Sequence, residues 1–288
     1  VRAREEQANE AGLNCSKKIS AVRVCLLDNN FVKNQIMKTL TIILSLISFA
    51  AVAQGEKAAY NDGDTRLEGL FYKAAGNGKK STGVIILHAW MGITDHERTS
   101  AQKLAAEGYQ VLVADVYGDK KPAEKKDAAA ASGYFKKNFR EYQSRIRAAI
   151  AEMEKRGCKS SDIVIMGYCF GGTGALEAAR GQLPVKGVVS FHGGLGKDST
   201  RKNSAIATRV LVLHGADDPF VPEKDIKQFQ NEMREGGADW QMVYYADAVH
   251  AFTEKNAGSD KSKGAAYNEK ADQRSWRALL EFLREGEK

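Results

Sequence analysis

Apolar residues fall along this chain in two patterns. Short apolar runs rich in β-branched residues recur, unbroken at Val84–Leu87, Val111–Ala114, Ile163–Met166 and Val210–Leu213 and interrupted by Lys186 and Ser190 at Val185–Phe191. Runs of that length and composition predict strands buried on both faces. Between them the spacing changes to that of amphipathic helices. One helix runs from His96 to Gly108, with Ala101, Leu104 and Ala105 inward and Gly108 as its stop. A single long helix is expected over 135–155, with Phe139, Tyr142, Ile146, Ala149, Ile150 and Met153 on one face. Shorter helices are predicted over 173–180, from Pro222-Glu223 to Glu235 before Gly236-Gly237, and over 270–284. Trp240–Tyr245 reads as the last strand. Arg66–Lys73 partly alternates after the Asn61-Asp62-Gly63-Asp64 turn signal, which predicts a hairpin strand at a sheet edge. Residues 119–133 are polar and Ala-rich and are assigned no element. Strands alternating with helices predict an α/β fold, a mostly parallel sheet flanked by helices on both faces. Only a few residues separate Arg180 from Val185, so no large cap domain is expected.

The first fifty residues break both patterns. Met37-Lys38, a mainly apolar run from Leu40 to Val52, and Ala51-Val52-Ala53 have the layout of a secretory signal peptide. The run is short for a membrane span. We therefore expect residues 1–36 to be an extension upstream of a misplaced start, or a disordered arm. Residues 37–53 are expected to be a cleaved leader, and 54–288 a single domain. The expected location is periplasmic or secreted, with no membrane anchor after cleavage. The full chain carries 43 Lys/Arg and 36 Asp/Glu, a net charge of +7. Residues 1–53 hold seven of the former and four of the latter, so the remainder carries +4. So mild an excess is a solvated surface, and the Lys120-Lys121 and Lys125-Lys126 pairs belong to it; no nucleic-acid partner is indicated. Past the leader only Cys158 and Cys169 remain. A strand separates them, too far for a disulfide, which predicts a free thiol at Cys169. No His/Cys cluster at ligand spacing suggests a metal, and no cofactor is expected.

Ligands of parallel sheets bind beyond the carboxyl ends of the strands, which reduces the search for chemistry to a few positions. Gly167-Tyr168-Cys169-Phe170-Gly171 links the Ile163 strand to a helix, a strand–turn–helix elbow with a thiol at its apex. Asp217 and Asp218 follow the Val210 strand, and His250 follows the last one. A thiol, an acid and a histidine are the parts of an activated nucleophile: the imidazole takes the thiol proton and the acid orients the imidazole. Between the two aspartates, one is expected to cap the turn. His88, His192 and His214 also lie at strand ends and are candidates to support the site, with Tyr168. His96 opens a helix and is read as a surface residue.

With these motifs the chain resembles the dienelactone hydrolase family of α/β-hydrolases over nearly all of the expected mature length. The resemblance rests on Gly167–Gly172, on Asp218-Pro219-Phe220-Val221-Pro222, on Ala248-Val249-His250-Ala251-Phe252 and on Asp115-Val116-Tyr117-Gly118. It implies an α/β-hydrolase fold and a triad of Cys169, Asp218 and His250, with an oxyanion hole formed by the backbone N–H groups of Trp90 and Phe170. The implied reaction is hydrolysis of a small ester or lactone through an acyl-enzyme, by a monomer. The chain departs from the family at three places. Ala89 stands where relatives carry a Glu that helps to create the thiolate. Glu254 stands where they carry an Arg, and no Arg occurs between Arg98 and Arg140. The dienelactone substrate therefore does not carry over, and the thiol is expected to depend on His250 alone. Two other readings are a non-catalytic exported binding protein on the same fold, and a peptidase or amidase using the same three residues.

The leader has a direct check. N-terminal sequencing of the exported protein should give a start near Gln54; a start near Val1 would remove the signal-peptide reading.

Overall fold

The computed structural model describes residues 55–76 and 82–285; the expected leader and the segment before it lie outside them. The elements are β1 (Glu56–Asp62), β2 (Thr65–Tyr72), β3 (Gly83–Leu87), α1 (Asp95–Ala106), β4 (Gln110–Ala114), α2 (Lys125–Lys137), α3 (Phe139–Lys155), β5 (Ile163–Tyr168), α4 (Phe170–Arg180), β6 (Gly187–Phe191), β7 (Arg209–Gly215), α5 (Glu223–Glu235), β8 (Trp240–Tyr245) and α6 (Glu269–Glu285). The eight strands form one sheet in the order β1-β2-β4-β3-β5-β6-β7-β8. β1, β2 and β4 pair antiparallel, and every pair from β4 to β8 is parallel.

The unbroken apolar runs are explained by two cores. Side chains alternate along a strand, so Ile85 and Leu87 enter one core while Val84 and Ile86 enter the other. The first core is closed by α2, α3, α4 and α5 through Phe135, Ile146, Leu176 and Phe229. The second is closed by α1 and α6 through Leu104, Leu279 and Leu283. No helix forms between β6 and β7, so no cap covers the carboxyl edge there. Among the described residues, no helix is long and apolar enough to cross a membrane.

Three expectations are corrected. The Arg66–Lys73 strand is not an edge strand: β1, which was not anticipated, pairs with it residue for residue from Glu56↔Phe71 to Asp62↔Thr65 and takes the edge. The single helix over 135–155 is two. Asn138, at φ −98° and ψ 56°, breaks the spiral, and both its N–H and its Nδ2 donate to the Tyr134 carbonyl. The stretch assigned no element contains most of α2. That helix buries Ala128, Ser132 and Phe135, and two small side chains in three leave a faint apolar period.

One polar network lies inside this frame. The Arg180 guanidinium donates to Glu232 at 2.9 and 3.1 Å, to Glu177 at 3.1 Å and to the Leu195 carbonyl at 2.7 Å. Lys197 reaches Glu232 at 3.0 Å. The network ties α4 to α5 and to the loop after β6. Removing one member of a buried ion network strands the others. Glu232→Ala should therefore cost about 3–5 kcal/mol, read as a lower urea midpoint with an unchanged m-value.

Candidate active site

The elbow is built by close approach. A Cβ on Gly167 would lie 2.1 Å from the Gly171 carbonyl oxygen, and a Cβ on Gly171 would lie 2.1 Å from the Leu87 carbonyl oxygen. Only two bare Cα atoms let β5, the first turn of α4 and the end of β3 come this near. The apex residue bears the strain: Cys169 has φ 52° and ψ −109°. Its N–H donates to the Phe191 carbonyl, and its own carbonyl accepts from Thr173 N–H. The backbone is pinned on both sides while the thiol stays partly exposed and free.

The three candidate residues, drawn from the ends of three strands, meet in one line. Cys169 Sγ lies 3.0 Å from His250 Nε2, and His250 Nδ1 lies 2.8 Å from Asp218 Oδ2. Asp218 is buried, and its Oδ1 accepts the Phe220 N–H at 2.9 Å. Asp217 is exposed and contributes its backbone N–H to the Ala248 carbonyl. Burial alone would lower the His250 pKa. The hydrogen bonds to Asp218 and Cys169, and their charges, outweigh it and raise the pKa to about 10. Phe220, 60% exposed, sets its ring edge-on to His250 at 5.4 Å, an apolar wall beside the reacting atoms.

The loop after β3 faces the elbow and is braced at several of its peptides. Val116 N–H donates to His88 Nε2 at 3.2 Å, so Nε2 must be unprotonated. His88 Nδ1 then carries the proton and donates to the Ala89 carbonyl at 2.7 Å. Burial lowers the His88 pKa and keeps this neutral form. Glu97, fully buried at the start of α1, accepts Ala89 N–H at 3.0 Å, Thr94 N–H at 2.8 Å and the Thr94 hydroxyl at 2.6 Å. The Tyr117 hydroxyl donates to the Trp90 carbonyl at 2.8 Å. Asp115 in turn holds Tyr117: its Oδ1 accepts the N–H groups of Tyr117 and Gly118. Held this way, Trp90 N–H has no protein acceptor among the described residues. Phe170 N–H opens α4, where first-turn N–H groups lack intrahelical partners.

The remaining candidates pack behind His250. His192, fully buried, lies edge-on to His250 at 5.4 Å, and its Nε2 is 2.8 Å from Thr253 Oγ1. Burial first, and then the neighbouring His250, hold the His192 pKa well below the usual histidine range. Thr253 Oγ1 also lies 3.3 Å from His96 Nε2, and the His96 ring packs against Tyr168 at 4.3 Å. His96 is therefore not a surface residue; α1 begins beneath the site and carries the ring inward. The Tyr168 hydroxyl pairs with Ser100 Oγ at 2.9 Å. His214 is buried against Tyr244, and its Nδ1 has no partner among the described residues. Glu97 and Thr253 carry no expectation from the sequence, and Tyr117 enters there only as part of the Asp115–Gly118 motif, without the role its hydroxyl has here. Glu97 did leave a signal, because Thr94-x-x-Glu97 is a capping box and both of its reciprocal bonds form. Among the described residues no group of three His, Cys, Asp or Glu side chains could hold a metal ion.

A family model described as the dienelactone hydrolase family matches residues 67–286. The chain belongs to this family. It is accordingly a hydrolase of carboxylic ester or lactone bonds. A probable 2-oxo-3-(5-oxofuran-2-ylidene)propanoate lactonase of Bradyrhizobium is 28% identical over 70% of this chain and 82% of its own. A putative carboxymethylenebutenolidase of Salmonella typhimurium is 24% identical over 69% and 76%. Among solved structures, the dienelactone hydrolase-like promiscuous phosphotriesterase P91 from metagenomic libraries is 33% identical with a TM-score of 0.76. It covers 82% of this chain and 99% of P91.

The brace under the loop can be tested without substrate. Glu97→Gln keeps the shape but turns an NH2 group toward one of three donors. The variant should lose about 1–3 kcal/mol in urea unfolding.

Proposed function

We propose that the hydrolase works through Cys169, His250 and Asp218 with an acyl-enzyme intermediate. The observation carrying this reading is the unbroken chain from Sγ to Nε2 at 3.0 Å and from Nδ1 to Oδ2 at 2.8 Å. As the thiol attacks, His250 Nε2 takes its proton, and Asp218 balances the imidazolium. Cys169 Sγ attacks the carbonyl carbon of the ester or lactone, and the carbonyl electron pair moves to oxygen. The N–H groups of Trp90 and Phe170 receive that oxyanion. As the tetrahedral intermediate collapses, the carbon–oxygen bond breaks and His250 Nε2 delivers its proton to the departing alkoxide. Water then attacks the thioester, giving its proton to Nε2. Collapse releases the carboxylic acid and the Cys169 sulfur, which takes the proton back from Nε2.

A lactone would open to a single hydroxy acid, and an open-chain ester would leave as two products. The site lies open at the carboxyl edge of the sheet, with Phe220 offering apolar surface to the substrate. A binding-only reading has less support. A packed cysteine needs neither a strained φ of 52° nor an aligned imidazole and buried carboxylate.

Hydrolysis of 4-nitrophenyl acetate by residues 54–288 tests the proposal. The wild type should turn over, Cys169→Ala should be inactive, and Asp218→Asn should lose at least about a hundredfold in kcat. Turnover unaltered in Cys169→Ala would sink it.

A further inference from the structure

Behind the reacting groups, one hydroxyl stands between two imidazoles. Thr253 is buried, and its Oγ1 lies 2.8 Å from His192 Nε2 and 3.3 Å from His96 Nε2. Three parts of the fold meet there. His192 follows β6, and its N–H donates to the Leu213 carbonyl of β7. His96 lies in the first turn of α1. Thr253 lies on the loop that carries His250.

That loop bonds first to a neighbouring loop. His250 N–H donates to the Gly264 carbonyl, while Ala266 N–H and Asn268 N–H donate to the carbonyls of His250 and Phe252. Between these bonds Ala251 turns the chain at φ 56°. The Thr253 hydroxyl then ties the loop to the sheet through His192. The ring it reaches packs against the His250 imidazole: His250 meets the buried His192 ring at 5.4 Å and the exposed Phe220 ring at 5.4 Å, both edge-on.

A hydroxyl has one proton, so Thr253 donates to one of the two ring nitrogens and accepts from the other. The surroundings of His192 decide the direction. Its ring is fully buried, and Nδ1 has no hydrogen-bond partner among the described residues. Were Nε2 to accept from Thr253, the neutral ring would carry its proton on Nδ1 and bury an N–H with nothing to receive it. Orphaned buried N–H groups are rarer than under-satisfied acceptors. His192 therefore carries its proton on Nε2 and donates it to Oγ1. Thr253 in turn donates to His96 Nε2, which leaves the proton of that half-buried ring on Nδ1. Burial lowers the pKa of both rings and favours these neutral forms.

We propose that Thr253 is a positioning residue for the reaction. Its single proton locks His192 and His96 in opposite tautomers, and the His192 ring so fixed keeps the His250 imidazole in line between Cys169 and Asp218. This rests on proton transfer from Cys169 to His250 but not on ester turnover.

Two measurements on the full chain test it. Near pH 8, two-bond proton–nitrogen correlation spectra of the imidazoles should show His192 protonated at Nε2 and His96 at Nδ1. This needs neither substrate nor variant, and His192 protonated at Nδ1 would overturn the proposal. For the second, Thr253→Val removes the hydroxyl at nearly constant shape and Thr253→Ser restores it. Alkylation of Cys169 by iodoacetamide near pH 7, read by mass spectrometry, should slow about tenfold or more in Thr253→Val and return to within about twofold of wild type in Thr253→Ser. The kcat/KM for 4-nitrophenyl acetate should follow the same order. A site that had merely loosened would expose the thiol. An alkylation rate unchanged or raised in Thr253→Val would therefore overturn the proposal, as would a Thr253→Ser protein as slow as Thr253→Val. The expected tautomers and alkylation rates in a wild type that does not turn over 4-nitrophenyl acetate would refute the hydrolytic mechanism and leave the positioning role standing.

Discussion

Three pieces of backbone must occupy nearly the same space for this site to exist. The end of β3, the turn after β5 and the first turn of α4 meet at Gly167 and Gly171, where any Cβ would sit about 2 Å from a carbonyl. That contact brings the Trp90 peptide, carried by the loop after β3, to the side of the elbow where Phe170 begins α4. It also forces Cys169 into a left-handed conformation that packing must hold. The parallel register of β3 with β5 and of β5 with β6 supplies the hold. Cys169 N–H donates to Phe191 at the end of β6, so the strain is anchored to the sheet rather than to a mobile loop.

The loop opposite the elbow has no such steric lock and is fastened by polar groups instead. Each brace uses a group with one fixed role. His88 is confined to a single tautomer by a donor on one side and an acceptor on the other. Glu97 offers only acceptors, and every contact it makes is with a donor. Tyr117 gives its one proton to Trp90. Groups that can each satisfy one arrangement leave the Ala89–Trp90 segment one conformation, and preorganisation of that kind is what an oxyanion site requires.

Much of this was legible in the sequence because it follows from short-range rules. Four of the strands announced themselves as unbroken apolar runs, since a strand buried on both faces has few polar positions to interrupt it. The elbow was legible because its glycines answer a local steric demand. Cys169, Asp218 and His250 could be chosen because chain topology sends strand ends to one edge. What escaped depended on pairing at long range or on small side chains. β1 is polar along one side, and it holds its place by pairing with β2. α2 buries alanine and serine, which barely differ from solvent-facing positions. His96 looked like a surface residue because a helix start is usually exposed; here α1 begins under the active-site loops. Thr253 gave no signal of its own, since its partners lie 61 and 157 residues away.

The absence of an acid at Ala89 then takes on a definite meaning. The carboxylate nearest to that position is Glu97, and its oxygens are committed to backbone and hydroxyl donors, one of them Ala89 N–H. The other titratable groups around the thiol are held neutral by burial. His88 and His192 are pushed down. Tyr117, Tyr142 and Tyr168 are pushed up. Of the groups touching Sγ, His250 alone has a partner that pays for its charge, because Asp218 meets it at Nδ1. A proton leaving Cys169 thus has one place to go.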